Sequence, residues 1–440
     1  MSAALRLPPP PARRGACPSV AAPMPTGDGL LVRLRPRAAG LSPARWRAIA
    51  ALARRHGNGL VEVTARGNLQ IRGLTAGTAL LLSDGLDTAG IALRSGVAIE
   101  VPPLAGRDPS EAADATPLAG AIEAALAARP LLLAPKLAVV VDGGGVLSLA
   151  DMVADLRLDA ERTADGVAWR ISIAGDAFSA RPVARTDASG AVGKAVELLG
   201  LLAALGPAAR GRDLGEALAP TLAGPFARPP LPAAPVGPIA IGGGHVLGLR
   251  LPYGQIHADR LEALAGDLER LGAAEIRLAP HRALLVPGLD GENLAAARRA
   301  AAAQGFWIDP EAPGNAISAC AGSAGCASGL VDTHAVADML VAAAPSLFDG
   351  ATGVHVSGCA KGCAHPAAAA LTLIGSARGL GLVACGRAGD EPLAVTDDPA
   401  SAFIRLEALL SRERALGETF HSLLGRLGKG RLKAAFQGRT

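Results

Sequence analysis

Four of the six cysteines in this 440-residue chain fall into two pairs. Cys320-Ala-Gly-Ser-Ala-Gly-Cys326 and Cys359-Ala-Lys-Gly-Cys363 are spaced C-x5-C and C-x3-C, with 32 residues between them. Four thiolates brought together could bind Zn²⁺, hold an iron–sulfur cluster or form disulfides. Zinc sites usually draw on tighter C-x2–4-C knuckles, and a gap of five is wide for one. Both pairs lie among Gly, Ala and Ser, so backbone amides can approach the sulfurs and hydrogen-bond them. A 4Fe-4S cluster therefore fits this chemistry better than zinc or unligated core cysteines. Cys17 and Cys385 stand outside the pairs; Cys385 reads as a core residue, and Cys17 has no explanation in the sequence.

Basic and amide side chains form the second chemical set. In Thr64-Ala-Arg66-Gly-Asn68-Leu-Gln70-Ile-Arg72-Gly73, alternation places Arg66, Asn68, Gln70 and Arg72 on one face of an extended segment. Two guanidiniums and two amides suit several carboxylates, because arginine binds each one bidentately. The plainer alternative is a solvated strand face. Arg277, His281 and Arg282 occupy a comparable strand and turn, while Lys136 and Lys361 complete the basic candidates.

The elements that must position these residues follow one plan used twice. Leu30-Leu-Val-Arg-Leu-Arg reads as a strand, and Ser42-Pro43 as an N-cap with proline at the first helical position. Trp46, Ile49, Ala50 and Ala53 form a helical stripe that Gly57 stops. Leu60 to Gly73 is a strand region with a turn inside it. The order recurs in the strand from Val246, the helix carrying Leu261, Leu264, Leu268 and Leu271, and the segment from Glu275 to Gly288. Arg35 and Arg250, Gly57 and Gly272, Gly73 and Gly288, and Leu74 and Leu289 are each 215 apart, which points to an internal duplication. The offset also matches Arg66 with His281, Gly143 with Gly358, and Gly144 with Cys359. Only the second copy has the paired cysteines, so the first is left to shape a ligand pocket. The stretch 398–437 reads as one helix with Phe403, Leu406, Leu409, Leu410 and Leu416 on its apolar side.

Half the residues are hydrophobic, 2% are aromatic, and the net charge is +4. The length implies two to four domains. A mildly basic surface suits a polyanionic ligand, but no Lys/Arg block is long enough to suggest nucleic acid. Arg13-Arg14 is not followed by an apolar h-region, and no charge-free run of about 18 apolar residues appears. The expectation is a cytoplasmic protein with no membrane span and with reduced thiols. Without a G-x-G-x-x-G after a strand, reduced nicotinamide would act through a separate electron-transfer partner.

Ala319-Cys320 through Cys326, followed by Val356-Ser-Gly-Cys359-Ala-Lys-Gly-Cys363, resembles the cluster signature of the siroheme-dependent sulfite and nitrite reductases. The segment 64–73 resembles that superfamily's first tetrapyrrole-binding strand. The resemblance implies an α/β (α+β) fold with two ferredoxin-like half-domains, each followed by a larger α/β lobe. On that plan residues 1–28 are an extended Pro-rich lead, 29–95 and 236–309 the half-domains, 96–235 a lobe without a cluster, and 310–440 the cluster-binding lobe. The four cysteines would be the cluster ligands, and Arg66, Asn68, Gln70, Arg72, Lys136, Arg277, His281, Arg282 and Lys361 the tetrapyrrole-binding set.

The reductases usually show two lysines separated by one residue, which grip the small anion. This chain has Lys136 but Ala138 at the second position. Gly15-Ala-Cys17-Pro18, the run from Met24 to Leu34, Trp169-Arg-Ile-Ser-Ile-Ala-Gly, and Ser179-Ala-Arg181-Pro182 instead resemble the precorrin-3B synthases of aerobic cobalamin biosynthesis. That resemblance covers most of residues 15–437. It implies precorrin-3A and O₂ as substrates, and hydroxylation of a meso carbon with closure of a γ-lactone. It also implies a non-haem iron beside the cluster and an external reductase using NAD(P)H. His281, His355 and His365 are candidate iron ligands, although no H-x-D/E pair supplies the usual two-histidine-one-carboxylate pattern. The alternatives are a siroheme-dependent sulfite or nitrite reductase, with siroheme as cofactor, and a zinc-stabilised binding module without enzymatic activity.

Overall fold

Local capping and apolar spacing build the same unit twice. The computed structural model describes residues 18–215, 218, 229–349 and 353–438, so Cys17 and Arg13-Arg14 lie outside the described residues. Ser42 accepts from Arg45 N–H and caps the helix Pro43–His56, which buries Trp46, Ile49, Ala50 and Ala53. Its counterpart, Ala258–Arg270, buries Leu261, Leu264 and Leu268. Both stripes enter one hydrophobic core shared by the two copies. The helices Ala76–Thr88 and Gly291–Ala303 keep the offset of 215 at both ends.

The described residues form four five-stranded sheets. One contains Met24–Thr26, Gly29–Leu34, Leu69–Leu74 and Leu60–Val63, and is completed by Gln255–His257 from the second copy. Another contains Gly237–Ile241, Gly244–Arg250, Ala283–Pro287 and Ile276–Ala279, and is completed by Gly40–Leu41 from the first. The exchange is reciprocal: Gln255 pairs with Glu62 and His257 with Leu60, while Arg277 pairs with Gly40 and Ile276 with Leu41. Trp46 seals the same junction, its indole N–H donating to Ile276 O at 3.0 Å. Each half-sheet thus depends on backbone hydrogen bonds from the other copy.

The remaining two sheets also correspond. Ala98–Glu100, Ala138–Asp142 and Ala154–Thr163 run parallel, and Gly166–Gly175 and Arg181–Thr186 add antiparallel strands. Ile317–Ala319, Val354–Ser357 and Ala369–Ser376 repeat the parallel part, and Gly379–Gly386 and Ala394–Thr396 the antiparallel part. Among the described residues one helix, Ala188–Leu205, is long and apolar enough to cross a membrane. It carries Lys194 and Glu197 and buries Ala191, Ala195, Leu198, Leu199 and Leu202 in the core of the first of these lobes.

Four local expectations change. Residues 399–437 are two helices, Pro399–Glu413 and Phe420–Gln437, and Leu416 stands fully exposed in the turn between them. Thr419 caps the second helix, a signal that apolar spacing alone does not register. Cys385 is exposed rather than core, at the end of a strand with φ of 50°. The Pro-rich lead already contains a paired strand at Met24–Thr26. Finally, Arg66 is not on the strand face of Gln70 and Arg72, because residues 64–67 form a turn with Gly67 at φ 74° and the strand begins at Leu69.

Candidate functional site

The four paired cysteines lie at the C-terminal ends of two neighbouring parallel strands. Ile317–Ala319 leads into Cys320, and Val354–Ser357 into Cys359; Ala319 is paired with Val356. Gly358 N–H points at Cys320 Sγ from 3.2 Å. A Cβ at Gly358 would lie 3.2 Å from the Cα atoms of Gly322 and Gly329 and 3.6 Å from that sulfur. These glycines let backbone from three turns close around the thiol. Gly322 and Gly362 adopt the left-handed conformation, at φ 57° and 59°. None of the five described cysteines is in a disulfide, and Cys320, Cys326 and Cys359 are half-buried while Cys363 is exposed.

Two hairpin turns meet beside these loops. His281 N–H donates to Ala65 O at 2.8 Å, and a Cβ at Gly67 would press on Ala279 and Pro280 backbone. Both turns reach the first lobe. Arg66 donates through Nη2 to Val153 O, and His281 Nε2 lies 3.1 Å from Asp151 Oδ2. The hydrogen bond from His281 holds the Asp151 carboxyl below its ordinary range. Arg282 turns to the second lobe and donates to Ala364 O at 3.3 Å, next to Cys363. His281 and Arg282 both have positive φ, 59° and 65°, an arrangement rare for non-glycine residues and frequent at functional sites.

Around Arg66 a few charged side chains are set among apolar ones. A cavity lined by Arg66 and Asn68 also takes in Arg35, Arg94, Glu100 and Met152. Burial pushes the Arg66 pKa down and that of Glu100 up, with Arg66, Arg35 and Arg94 opposing the rise at Glu100. Arg210 binds Asp155 through two nitrogens at 2.8 Å and donates to Lys136 O at 3.3 Å, leaving the Lys136 side chain exposed. Ala138 is buried, and its N–H donates to Asp155 at 3.0 Å. Beneath the cavity wall, fully buried Arg157 donates to Leu149 O at 3.1 Å and Met152 O at 2.7 Å and pairs with Asp159 at 2.7 Å.

A nitrite/sulfite reductase ferredoxin-like half-domain family matches residues 22–87 and again 240–304. The solved structure of the Mycobacterium tuberculosis NirA protein superposes with a TM-score of 0.71 at 19% identity, covering 92% of this chain and 84% of that one. It shares the fold. A curated Sinorhizobium protein named precorrin-3B synthase is 46% identical over 436 residues, 97% of this chain and 95% of the relative. The chain belongs to the precorrin-3B synthase family.

Within this precorrin-3B synthase-family chain, the expected tetrapyrrole-binding residues divide into two groups. Arg66, Asn68, His281 and Arg282 gather at or beside the meeting turns. Arg72, Gln70 and Arg277 are drawn into internal networks instead. Arg72 pairs with Asp28 and Glu62, each at 3.1 Å, and donates to Gly325 O. Gln70, with its amide oriented to suit its neighbours, donates to Glu62 at 3.0 Å and accepts from Arg33 at 2.9 Å. Arg277 is tied to Glu275 at 3.0 Å and Pro103 O at 2.9 Å. Lys361 extends outward to Ser328 Oγ at 2.8 Å. Asp151, Asp155, Arg210, Arg94 and Glu100 were not evident as site residues in the sequence. Asp151, Arg94 and Arg210 come from loops or turns, Glu100 from an edge strand and Asp155 from the start of a central strand, none within a motif, and only tertiary packing brings them to Arg66 and His281.

The donor atoms discriminate between the two metal centres raised by the sequence. In a cubane each cysteine binds a different iron, so the thiols need not converge on one point. Cys320, Cys326, Cys359 and Cys363, on glycine loops with an amide already aimed at sulfur, fit such a group. A mononuclear iron does need convergence. Among the described residues no group of three or more His, Cys, Asp and Glu side chains is placed to hold one ion. His355 is fully buried, neither ring nitrogen has a protein partner, and burial, then His365 and Arg282, lower its pKa to about 4. The His355 and His365 rings sit 5.7 Å apart at 60° with no carboxylate between them to complete a facial triad, and His281 is committed to Asp151. The described residues therefore do not fit a non-haem iron.

Proposed function

We propose that this chain is a precorrin-3B synthase, an oxidoreductase that inserts one oxygen atom from O₂ into precorrin-3A and closes an acetate side chain to a γ-lactone. The observation that carries the proposal is the 46% identity to the Sinorhizobium synthase over 97% of the chain. The other oxygen atom leaves as water, with two electrons and two protons supplied by an external reductase using NAD(P)H. Cys320, Cys326, Cys359 and Cys363 would hold a 4Fe-4S cluster, which supplies one-electron transfer when bound. The five described cysteines, all outside disulfides, support a reducing cytoplasmic setting.

The chain's own residues bind and orient. Arg66 and Arg282 project from turns pinned to opposite lobes, so two carboxylates of one large substrate can be held across the gap between them. Positive φ at His281 and Arg282 fixes the direction of both side chains before substrate arrives. Asp151 sets the orientation of the His281 ring through the 3.1 Å contact between Nε2 and Oδ2. Lys136 stays in the binding set as an exposed cation. With buried Ala138 beside it, the chain lacks the second cation that would neutralise a small anion during reduction. That argues against the alternative, a siroheme-dependent sulfite or nitrite reductase.

Reaction of the anaerobically purified, reduced enzyme with precorrin-3A under ¹⁸O₂ tests the proposal. One labelled oxygen should enter the product's new hydroxyl, and the protein should show cluster absorption without chlorin-type bands. Stoichiometric siroheme with steady sulfite or nitrite reduction would transfer the chain to the alternative. Label arriving from H₂¹⁸O would replace oxygen insertion by hydration.

A further inference from the structure

We propose that Gly27, Asp28 and Arg72 form a clasp that fixes the turn carrying Cys326. The purpose of the clasp rests on the cluster reading above, whereas its geometry does not. Arg72 meets Asp28 side-on, with Nε to Oδ2 and Nη2 to Oδ1 both at 3.1 Å. The same Nη2 donates to Gly325 O, one residue before Cys326. Nη1 is held at 3.1 Å by Glu62, which Gln255 of the second copy also binds. One buried guanidinium therefore joins the first half-domain, the exchanged strand and the cysteine turn. Only a planar fork can reach these partners together, so lysine is not an equivalent.

Shape supports the same assignment. A Cβ at Gly27 would fall inside the backbone of Cys326 and Ala327, so the N-terminal stretch lies directly on the turn. A Cβ at Gly325 would sit 3.8 Å from Arg72 Nε and 3.9 Å from Cζ. Asp28 is itself held, accepting from Thr26 Oγ1 and Asn58 Nδ2 at 2.8 Å each. The duplication provides an internal control. At the offset of 215, Gly27 corresponds to Gly242, which makes a similar close approach to Pro109 in the cysteine-free lobe. Asp28 and Arg72, however, correspond to Gly243 and Pro287. The steric half of the clasp is repeated, and the charged half occurs only where there is a cysteine turn to hold. Asp28 and Arg72 are thus positioning residues for Cys326, acting through Gly325 and the turn backbone.

The test compares wild type with Asp28→Asn, Gly27→Val and Arg72→Lys, all full-length. In the cluster-free form, alkylation of each cysteine by iodoacetamide is followed by peptide mass spectrometry. Loss of even one hydrogen bond of about 1 kcal/mol should speed Cys326 labelling roughly fivefold, with Cys385 unchanged and the melting temperature little altered in Asp28→Asn. After reconstitution, iron should pass to a chelator faster in the same variants. Equal labelling of Cys326 in all four proteins overturns the clasp, as does a uniform rise at every cysteine, which would mark general loosening. Should Arg72→Lys fail to fold, Asp28→Asn and Gly27→Val still decide the matter. If wild type takes up no iron and sulfide, the cluster reading fails while the labelling pattern independently judges the clasp.

Discussion

Replacing Glu111 by Gln should remove a pH-dependent cost from the first lobe. Glu111 precedes Ala112, whose N–H donates to Gly143 O as Leu330 N–H donates to Gly358 O in the other copy, so a buried carboxyl lies where the cysteine lobe has Gly329. It is 8% exposed; Oε2 accepts from Gly106 N–H at 2.9 Å, and Oε1 has no protein partner. Burial, reinforced by repulsion from Asp108, Asp114 and Asp142, pushes its pKa from 4.5 up to about 7. A folded chain that keeps this proton, where the unfolded chain has lost it, is stabilised at low pH. That contribution falls away as pH rises from about 4.5 to about 7, and is level above. At 1.36 kcal/mol per unit the upper limit is about 3 kcal/mol, and solvent in the adjoining cavity reduces this to about 1–2 kcal/mol. Glutamine keeps the shape and the bond to Gly106 but cannot ionise. At about 2–4 °C per kcal/mol, Glu111→Gln should melt about 2–8 °C above wild type at pH 8. The two should nearly coincide at pH 5. Thermal unfolding by circular dichroism at the two pH values measures this directly. A difference of the same size at both would show that Glu111 does not titrate in this range, and the reasoning would fail.

Other outcomes follow from the same geometry. Arg66→Ala should weaken binding of a carboxylate-rich tetrapyrrole by about 1.5–3 kcal/mol, the range for hydrogen bonds to charged groups, read by fluorescence or absorbance titration. Arg157→Met should cost about 3–5 kcal/mol in denaturant unfolding, because Asp142 and Asp159 lose their buried partner and two carbonyls lose a donor. Cys320→Ala should strip iron and acid-labile sulfide from the reconstituted protein, whereas the exposed Cys385→Ala should leave both intact.

Much of this fold was legible because the sequence states it twice. Capping residues such as Ser42, helix stripes such as Leu261–Leu264–Leu268, and a constant spacing between turn glycines are local signals, and each became the element it announced. The destination of an arginine is not a local property. Arg66 and Arg72 look alike in an alternating run, yet one turn at Gly67 separates them, and acidic partners 44 and 10 residues away claim Arg72. Arg277 is claimed in the same way by Glu275 and the Pro103 carbonyl. The cysteine loops were easier because thiols and glycines at fixed spacing have few other uses, while Asp151 and Arg210 become site residues only when the lobes pack.

The reciprocal exchange of Gly40–Leu41 and Gln255–His257 carries an evolutionary implication. Two identical chains that each lend a strand to the other make a swapped, symmetric dimer, in which any substitution appears on both sides at once. Fusion of the genes ends that constraint. With both donor strands encoded in one chain, the halves remain physically bound while their sequences are free to part. One can carry Cys359 and a charged clasp of Asp28 and Arg72, while the other puts Gly144, Gly243 and Pro287 at the corresponding positions. The borrowed strands are what keep such divergence safe, since neither half can complete its sheet without the other.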